Sequence, residues 1–217
     1  MRQNRIKRTT DIRRWNLRRG LICCLLCLVG QGTAAFGQQF SAWSTPINLG
    51  PVVNTTALEG CPAISRDGLS LYFASNRAGG DGGLDLYVSQ RESTVDSWGP
   101  PVNLGTTINS TSNDLCPALS TDGHLLFFAS NRPGGCGGID IYVSRRQDKS
   151  QDFGDRGWGT PQNLGCTVNS DKDDFGPNYF EVTAGGILYF NSNRDTGAGG
   201  QDIYAATRGT DDLCMAN

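Results

Sequence analysis

Apolar and polar positions alternate in short runs along this chain, and no stretch after residue 37 carries a sustained 3.6-residue period. From Leu84 to Ser89, Leu84, Leu86 and Val88 alternate with Asp85, Tyr87 and Ser89, the two-residue period of a strand. Leu69–Ser75 is rich in apolar and aromatic residues, which suits a buried strand. The same reading predicts short strands at Pro62–Ser65 and near Pro101–Leu104. Between the first two, Asp67–Gly68 predicts a tight type I′ hairpin. The run "AGGDGG" predicts a flexible connection into the third strand.

This pattern recurs. "LYFASNRAGGDGGLDLYVS" returns 55 residues later as "LFFASNRPGGCGGIDIYVS", and a further 62 residues on as "LYFNSNRDTGAGGQDIYAA". The longer second interval falls in a polar linker, "RRQDKSQDFGDRGW". Units one and two are followed by "WGPPVNLGTTIN" and "WGTPQNLGCTVN", and an orphan copy, "WSTPINLGPVVN" (43–54), precedes unit one. Four-stranded units at this period are expected of propeller blades. The expected fold is all-β, a partial β-propeller with three blades of antiparallel strands. Its parts are the orphan strand 43–54, blade 1 at about 60–105, blade 2 at about 115–165 and blade 3 at about 175–207. In unit three "VTAG" replaces "SRDG", so a different first turn is expected there.

The first 20 residues hold eight basic side chains and one acid, followed by the apolar run Leu21–Val29 and then small residues. That is the order of a secretory signal peptide, expected to occupy 1–37 and leave a mature chain of 38–217. Nine apolar residues are too few for a membrane span, which needs about 20, so the membrane is met only through the export signal. Arg18–Arg19 also suits a twin-arginine signal. The expected location is periplasmic or extracellular.

Export changes the charge and cysteine picture. The whole chain carries net charge −2. Beyond residue 20 it has 11 basic against 20 acidic side chains, a net −9. No basic patch suits phosphates, so nucleic acid is not an expected partner. Of eight cysteines, Cys61, Cys116, Cys136, Cys166 and Cys214 lie beyond the export segment. An oxidising compartment allows disulfides, and five cysteines leave one over. Cys61 and Cys116 hold the same place in successive units, and blade spacing is expected to keep them unbonded. No zinc spacing occurs.

The consensus P-x-x-S-x-D-G-x-x-L-Y-F-A-S-N-R-x-G-G-x-G-G-x-D-I-Y-V-S, then W-x-x-P-x-N-L-G, resembles the WD40-like β-propeller repeat of TolB-type periplasmic proteins over about residues 43–207. The resemblance implies a propeller, and similar repeats occur in exported proteins that carry OmpA-like domains. It implies no particular reaction.

Residues at the same place in every unit are expected to be structural: Asp67, Gly68, Asn76, Arg77, Asp85 and Tyr87; Asp122, Gly123, Asn131, Arg132, Asp140 and Tyr142; Asn193, Arg194, Asp202 and Tyr204. Arg77 and Asp85 are expected to pair across one hairpin. Trp43, Trp98 and Trp158 are expected to pack between blades. Asn54 and Asn109 fit glycosylation sequons, but Asn169 holds the same place without one, which favours a structural asparagine. Residues that break the repeat are the candidates for binding: the single histidine His124, and Asp171 and Asp173 in "NSDKDDFGP". No Gly-x-Ser-x-Gly elbow, Walker lysine or EF-hand spacing appears, so no catalytic residue, metal ligand or cofactor is expected.

The expected function is therefore an exported, non-catalytic binding or scaffold module of the cell envelope, contacting protein or glycan through blade loops. The alternatives are a glycosidase- or sialidase-like propeller enzyme, which needs two carboxylates facing one pocket, and a propeller fragment of a larger envelope protein. A head-to-tail homodimer is expected to complete the ring.

Overall fold

The structure is a computed structural model and describes residues 41–146, 157–183 and 185–209. The export segment, residues 147–156 of the linker and Cys214 lie outside the described residues. The chain divides into Met1–Thr45 and Pro46–Asn217. In the first unit residues 41–45 form no strand, and Trp43 is fully exposed. Trp98 and Trp158 each lie under an arginine that follows the third strand of their own sheet, and no described strand precedes Trp43.

The second unit is built from eleven strands among the described residues: β1 (Glu59–Ile64), β2 (Ser70–Ser75), β3 (Asp85–Gln90), β4 (Val102–Asn103), β5 (Asp114–Leu119), β6 (Leu125–Ser130), β7 (Asp140–Arg145), β8 (Gln162–Asn163), β9 (Asp174–Val182), β10 (Gly185–Ser192) and β11 (Asp202–Gly209). They form three antiparallel sheets in the orders β1-β2-β3-β4, β5-β6-β7-β8 and β9-β10-β11. These are three blades of a partial β-propeller. Blade registers repeat: Leu86 pairs with Ala74, Ile141 with Ala129, and Ile203 with Asn191.

Alternation puts one apolar face of each blade against its neighbour. Tyr72, Ala74, Leu86 and Val88 of blade 1 pack on Leu126, Phe128 and Tyr142 of blade 2. Leu125, Phe127 and Ile141 of blade 2 pack on Leu188 and Phe190 of blade 3. Each such layer buries several large side chains, worth about 1.5–3 kcal/mol apiece, so the blades are held mainly by these interfaces.

Four sequence expectations need correction. The first hairpin is not type I′. Gly68 has φ 75° while Asp67 does not reach positive φ, and Gly68 N–H donates to Ser65 C=O at 2.8 Å. This is an ordinary turn closed by a left-handed glycine, within a four-residue connection whose ends are tied by Ser65 N–H donating to Ser70 C=O at 2.9 Å. In blade 3 β9 and β10 run to nine and eight residues, and Val182 pairs with Gly185.

The glycine run is also not a loose connection. A Cβ at Gly82 or Gly137 would overlap the backbone of Ser110–Ser112 or Ser170–Lys172, the loop ahead of the next blade. Gly83 and Gly138 N–H donate to Ser112 and Lys172 C=O at 2.9 and 3.0 Å. Glycine is needed there for close approach of two backbones.

The orphan segment forms no strand, because a strand needs a neighbouring edge to bond and none of the described strands lies beside Ile47–Asn48.

Finally, Cys61 and Cys116 are disulfide-bonded, as are Cys136 and Cys166. Cys61 and Cys116 lie on β1 and β5, the first strands of their blades, with Cα atoms 4.7 Å apart. First strands of successive blades are neighbours, β1 beside β5 and β5 beside β9, which brings the two cysteines together. Both residues occupy a bulge with φ 50°, and Gly176 holds the same place in blade 3 with φ 63°.

Candidate functional site

The repeated polar residues form one framework, written three times. Arg77, Arg132 and Arg194 do not pair with Asp85, Asp140 and Asp202, which corrects the expected Arg77–Asp85 bridge. Each arginine instead reaches the acid that opens its blade: Glu59 at 3.1 Å, Asp114 at 2.6 Å and Asp174 at 2.6 Å. Each also donates to a backbone carbonyl ahead of that acid, of Val53, Ile108 or Val168, at 2.6–2.7 Å. The guanidinium groups lie over Tyr87, Tyr142 and Tyr204 at 4.9, 4.9 and 4.5 Å, a favourable cation–aromatic contact. The arginine is thus a clamp between a blade and the segment leading into it.

The acids are set by their surroundings. Burial pushes Glu59 up, but hydrogen bonds from Thr55 and the Arg77 charge outweigh it and hold the carboxyl below its usual range. Burial likewise opposes ionisation of Asp174, and hydrogen bonds from Ser192, Arg194 and Ser170 win. Asp85 differs: burial pushes it up against the N–H groups of Asp81 and Gly82, which it accepts at 2.6 and 3.2 Å. Asp140 accepts Cys136 and Gly137 N–H in the same way, and Asp202 accepts Gly199 N–H. These aspartates tie down the glycine loops.

Asn76, Asn131 and Asn193 accept the N–H of Leu58, Asn113 and Asp173 through their side-chain oxygens at 2.7–2.9 Å. Asp67 and Asp122 accept the hydroxyls of Ser65 and Ser120 and the N–H of Leu69 and His124, which closes the first hairpin.

One group of departures from the repeat lies at the hairpin end of blades 2 and 3. A cleft of about 440 Å³ is lined there by Asp122, His124, Arg145, Tyr179, Glu181 and Arg208, among others. His124 Nδ1 lies 3.9 Å from Asp122. Gly186 replaces the residue equivalent to His124, and a Cβ there would overlap Tyr179. The Tyr179 ring therefore lies beside β10, stacked on Phe127 at 4.7 Å. Its hydroxyl accepts Arg208 Nη2 at 2.7 Å and Nε at 3.1 Å. The cleft thus carries an aromatic ring, two arginines of which Arg208 is held by Tyr179, and two carboxylates, enough to hold a polar ligand of modest size.

Asp171 and Asp173 do not join it. They precede Asp174, where β9 begins, whereas the cleft lies at Val182, where β9 ends. Nine residues of strand separate the two ends, about 27 Å. Asp171 faces Lys172 at 4.0 Å, and Asp173 takes the place that Asn113 holds one unit earlier, so both belong to the loop before blade 3. Among the described residues no three His, Cys, Asp or Glu side chains converge as a metal site.

Sequence reasoning missed a second arginine series. Arg91 and Arg146 donate to Gly68 and Gly123 C=O at 2.9 and 2.8 Å and cover Trp98 and Trp158 at 4.3 Å. Burial lowers Arg146 below the usual arginine range, against the pull of Asp67 and Asp122. Arg208 is the third member, turned to Tyr179. The 55- and 62-residue spacing that exposed the first series also contains this one.

The architecture and framework define a class: an antiparallel, partial propeller whose repeated charges are structural. No protein-family model and no curated protein matches the chain. Among solved structures it is similar to an α-L-arabinofuranosidase from Lactobacillus brevis, at 14% identity and a TM-score of 0.45, over 70% of this chain and 52% of that one. It is also similar to an α-L-arabinofuranosidase from Podospora anserina in complex with cellotriose, at 13% identity and a TM-score of 0.45, over 75% of this chain and 49% of that one. The chain spans about half the length of each.

Proposed function

We propose that this protein is an exported, non-catalytic binding or scaffold module of the cell envelope, a propeller of the WD40-like TolB type that contacts protein or glycan through its blade loops. One observation carries the reading. The charged residues that recur in every blade bond within the chain, and the cleft between blades 2 and 3 is where the repeat is broken by His124, Tyr179 and Glu181. The basic, apolar and small residues of 1–37 support export. The test is a glycan array and a cross-linking capture from the envelope fraction, each run with the native chain and the His124→Ala/Glu181→Gln variant. Retention of a ligand by the native chain and its loss in the variant is the expected result. Equal behaviour of the two chains overturns the role given to the cleft.

A second reading is favoured by a specific feature: Asp122 and Glu181 line the same cleft, and glycosidases place two carboxylates about 5–10 Å apart. Turnover of aryl glycosides that disappears in Glu181→Gln supports the enzyme and contradicts the binding module.

A further inference from the structure

The three copies of the Pro-x-Asn-Leu-Gly-x-x-x-Asn segment are folded alike but not used alike. In Pro101–Asn109, Asn103 accepts Gly105 N–H at 2.7 Å, Asn109 N–H donates to Gly105 C=O at 2.8 Å, and the Asn109 amide donates to Asn103 at 2.7 Å. Pro161–Asn169 repeats these bonds at 2.8, 2.9 and 2.9 Å. Pro46–Asn54 repeats them again at 2.8, 2.9 and 3.0 Å. The first two copies then engage the preceding blade. Asn109 accepts Leu86 N–H and donates to Leu86 C=O, at 2.8 and 3.1 Å, while Asn103 pairs with Tyr87. Asn169 and Asn163 do the same to Ile141 and Tyr142. Pro46–Asn54 has the same internal form and is anchored to blade 1 through Val53, yet no described strand receives it.

The matching receiver is present and is left open by the described residues. β11 is paired only with β10 among the described strands. Ile203 holds the place of Leu86 and Ile141; they are 0% exposed and it is 77% exposed. Tyr189 is 43% exposed where Tyr72 and Phe127 are 0% and 2%. Gly82 and Gly137 each meet the loop ahead of the next blade, but at Gly199 and Gly200 nothing lies within 4 Å. An open apolar sheet edge is what soluble proteins avoid.

We propose that β11 receives Pro46–Asn54 of a second copy of this chain. In that contact Ile47–Asn48 becomes the fourth strand of blade 3, with Asn48 opposite Tyr204 and Ile47 opposite Ala205. Asn54 bonds the N–H and C=O of Ile203, and Thr55–Ala57 closes over Gly199–Gly200. This is strand addition to a free edge, guided by side chains already in the required geometry. Because donor and receiver are different surfaces the contact is head to tail, and two copies exchanging segments close a ring of six blades. The inference stands apart from the function of the cleft.

The test mixes purified Ile47→Cys chain with Ala205→Cys chain under mild oxidation and maps the bridged peptides, alongside sedimentation of the native chain and of Ile203→Asp. The expected result is a 47–205 bridge between chains, twice the chain mass for the native protein at micromolar concentration, and a monomer for Ile203→Asp with a native far-UV spectrum. A native chain that stays monomeric, no inter-chain bridge, or an Ile203→Asp chain that still dimerises overturns the proposal. A bridge found only in larger assemblies overturns the two-copy ring.

Discussion

Asn109 holds Leu86 from both sides: its side-chain oxygen accepts the Leu86 N–H at 2.8 Å and its amide donates to the Leu86 carbonyl at 3.1 Å, with both residues buried. The asparagine thereby stands in for a strand residue and joins two blades.

Replacing it isolates that role. Asn109→Ala leaves a buried backbone N–H without its partner, and the variant is expected to lose about 3 kcal/mol. Asn169→Ala, built the same way on Ile141, is expected to lose a similar amount. Chemical denaturation of each variant measures both. Asn54→Ala, which faces none of the described strands, is expected to change the stability of the single chain by less than about 1 kcal/mol.

The bridged cysteines give a second expectation. The Cys61–Cys116 link closes 55 residues, for which loop closure contributes about 4 kcal/mol. Removing both cysteines costs that contribution whatever replaces them, but the backbone distinguishes the replacements. Both positions have φ 50°, and Gly176 holds the same place in blade 3. Glycine accepts this conformation better than a residue with a Cβ by about 1 kcal/mol at each position. Thermal unfolding of Cys61→Gly/Cys116→Gly is expected at a higher temperature than that of Cys61→Ser/Cys116→Ser, and at a lower one than native. A serine pair more stable than the glycine pair contradicts the assignment of backbone strain.

The acids that open the blades set the response to pH. Asp174 and Glu59 are held below their usual range in the fold, by hydrogen bonds and arginine charge that outweigh burial. A depressed carboxylate contributes stability above its unfolded value, near about 4, and that contribution is lost as pH falls through the folded value. Asp85 is raised by burial, so its contribution has the opposite sign: it is complete below the unfolded value and lost as pH rises through the folded one. Asp174→Asn is expected to be less stable than native at neutral pH and to lose less stability on acidification. Denaturation midpoints between pH 7 and pH 3 decide this, and parallel curves for the two proteins contradict it.

The fold was legible because repetition and two-residue alternation act together. A strand such as Leu84–Ser89 announces its period, and its recurrence announces a blade. The partners of the charged side chains were less legible. Arg77 and Asp85 lie eight residues apart and look like a pair, yet Glu59, eighteen residues away, is brought closer by the antiparallel return of the chain. The turn at Asp67–Gly68 was placed correctly but given the wrong type, since one left-handed glycine satisfies it. The Cys61–Cys116 link was hidden because sequence spacing carries no information about how closely first strands approach each other. Of the candidate binding residues, His124 lies in the cleft, while Asp171 and Asp173 serve the loop before blade 3. Tyr179 and Arg208 gave a signal only through their relation to Gly186 and to the arginines of the other blades.

Hydrogen exchange at three equivalent amides tests the central claim, that each blade is completed by the asparagine segment that follows it in the ring. The amides are those of Leu86, Ile141 and Ile203. Leu86 and Ile141, bonded by Asn109 and Asn169, are expected to exchange slowly at every protein concentration. Ile203 is expected to exchange quickly in dilute solution and to slow as copies associate. Rapid exchange at Leu86 and Ile141, or an Ile203 amide whose rate is independent of concentration, contradicts the account.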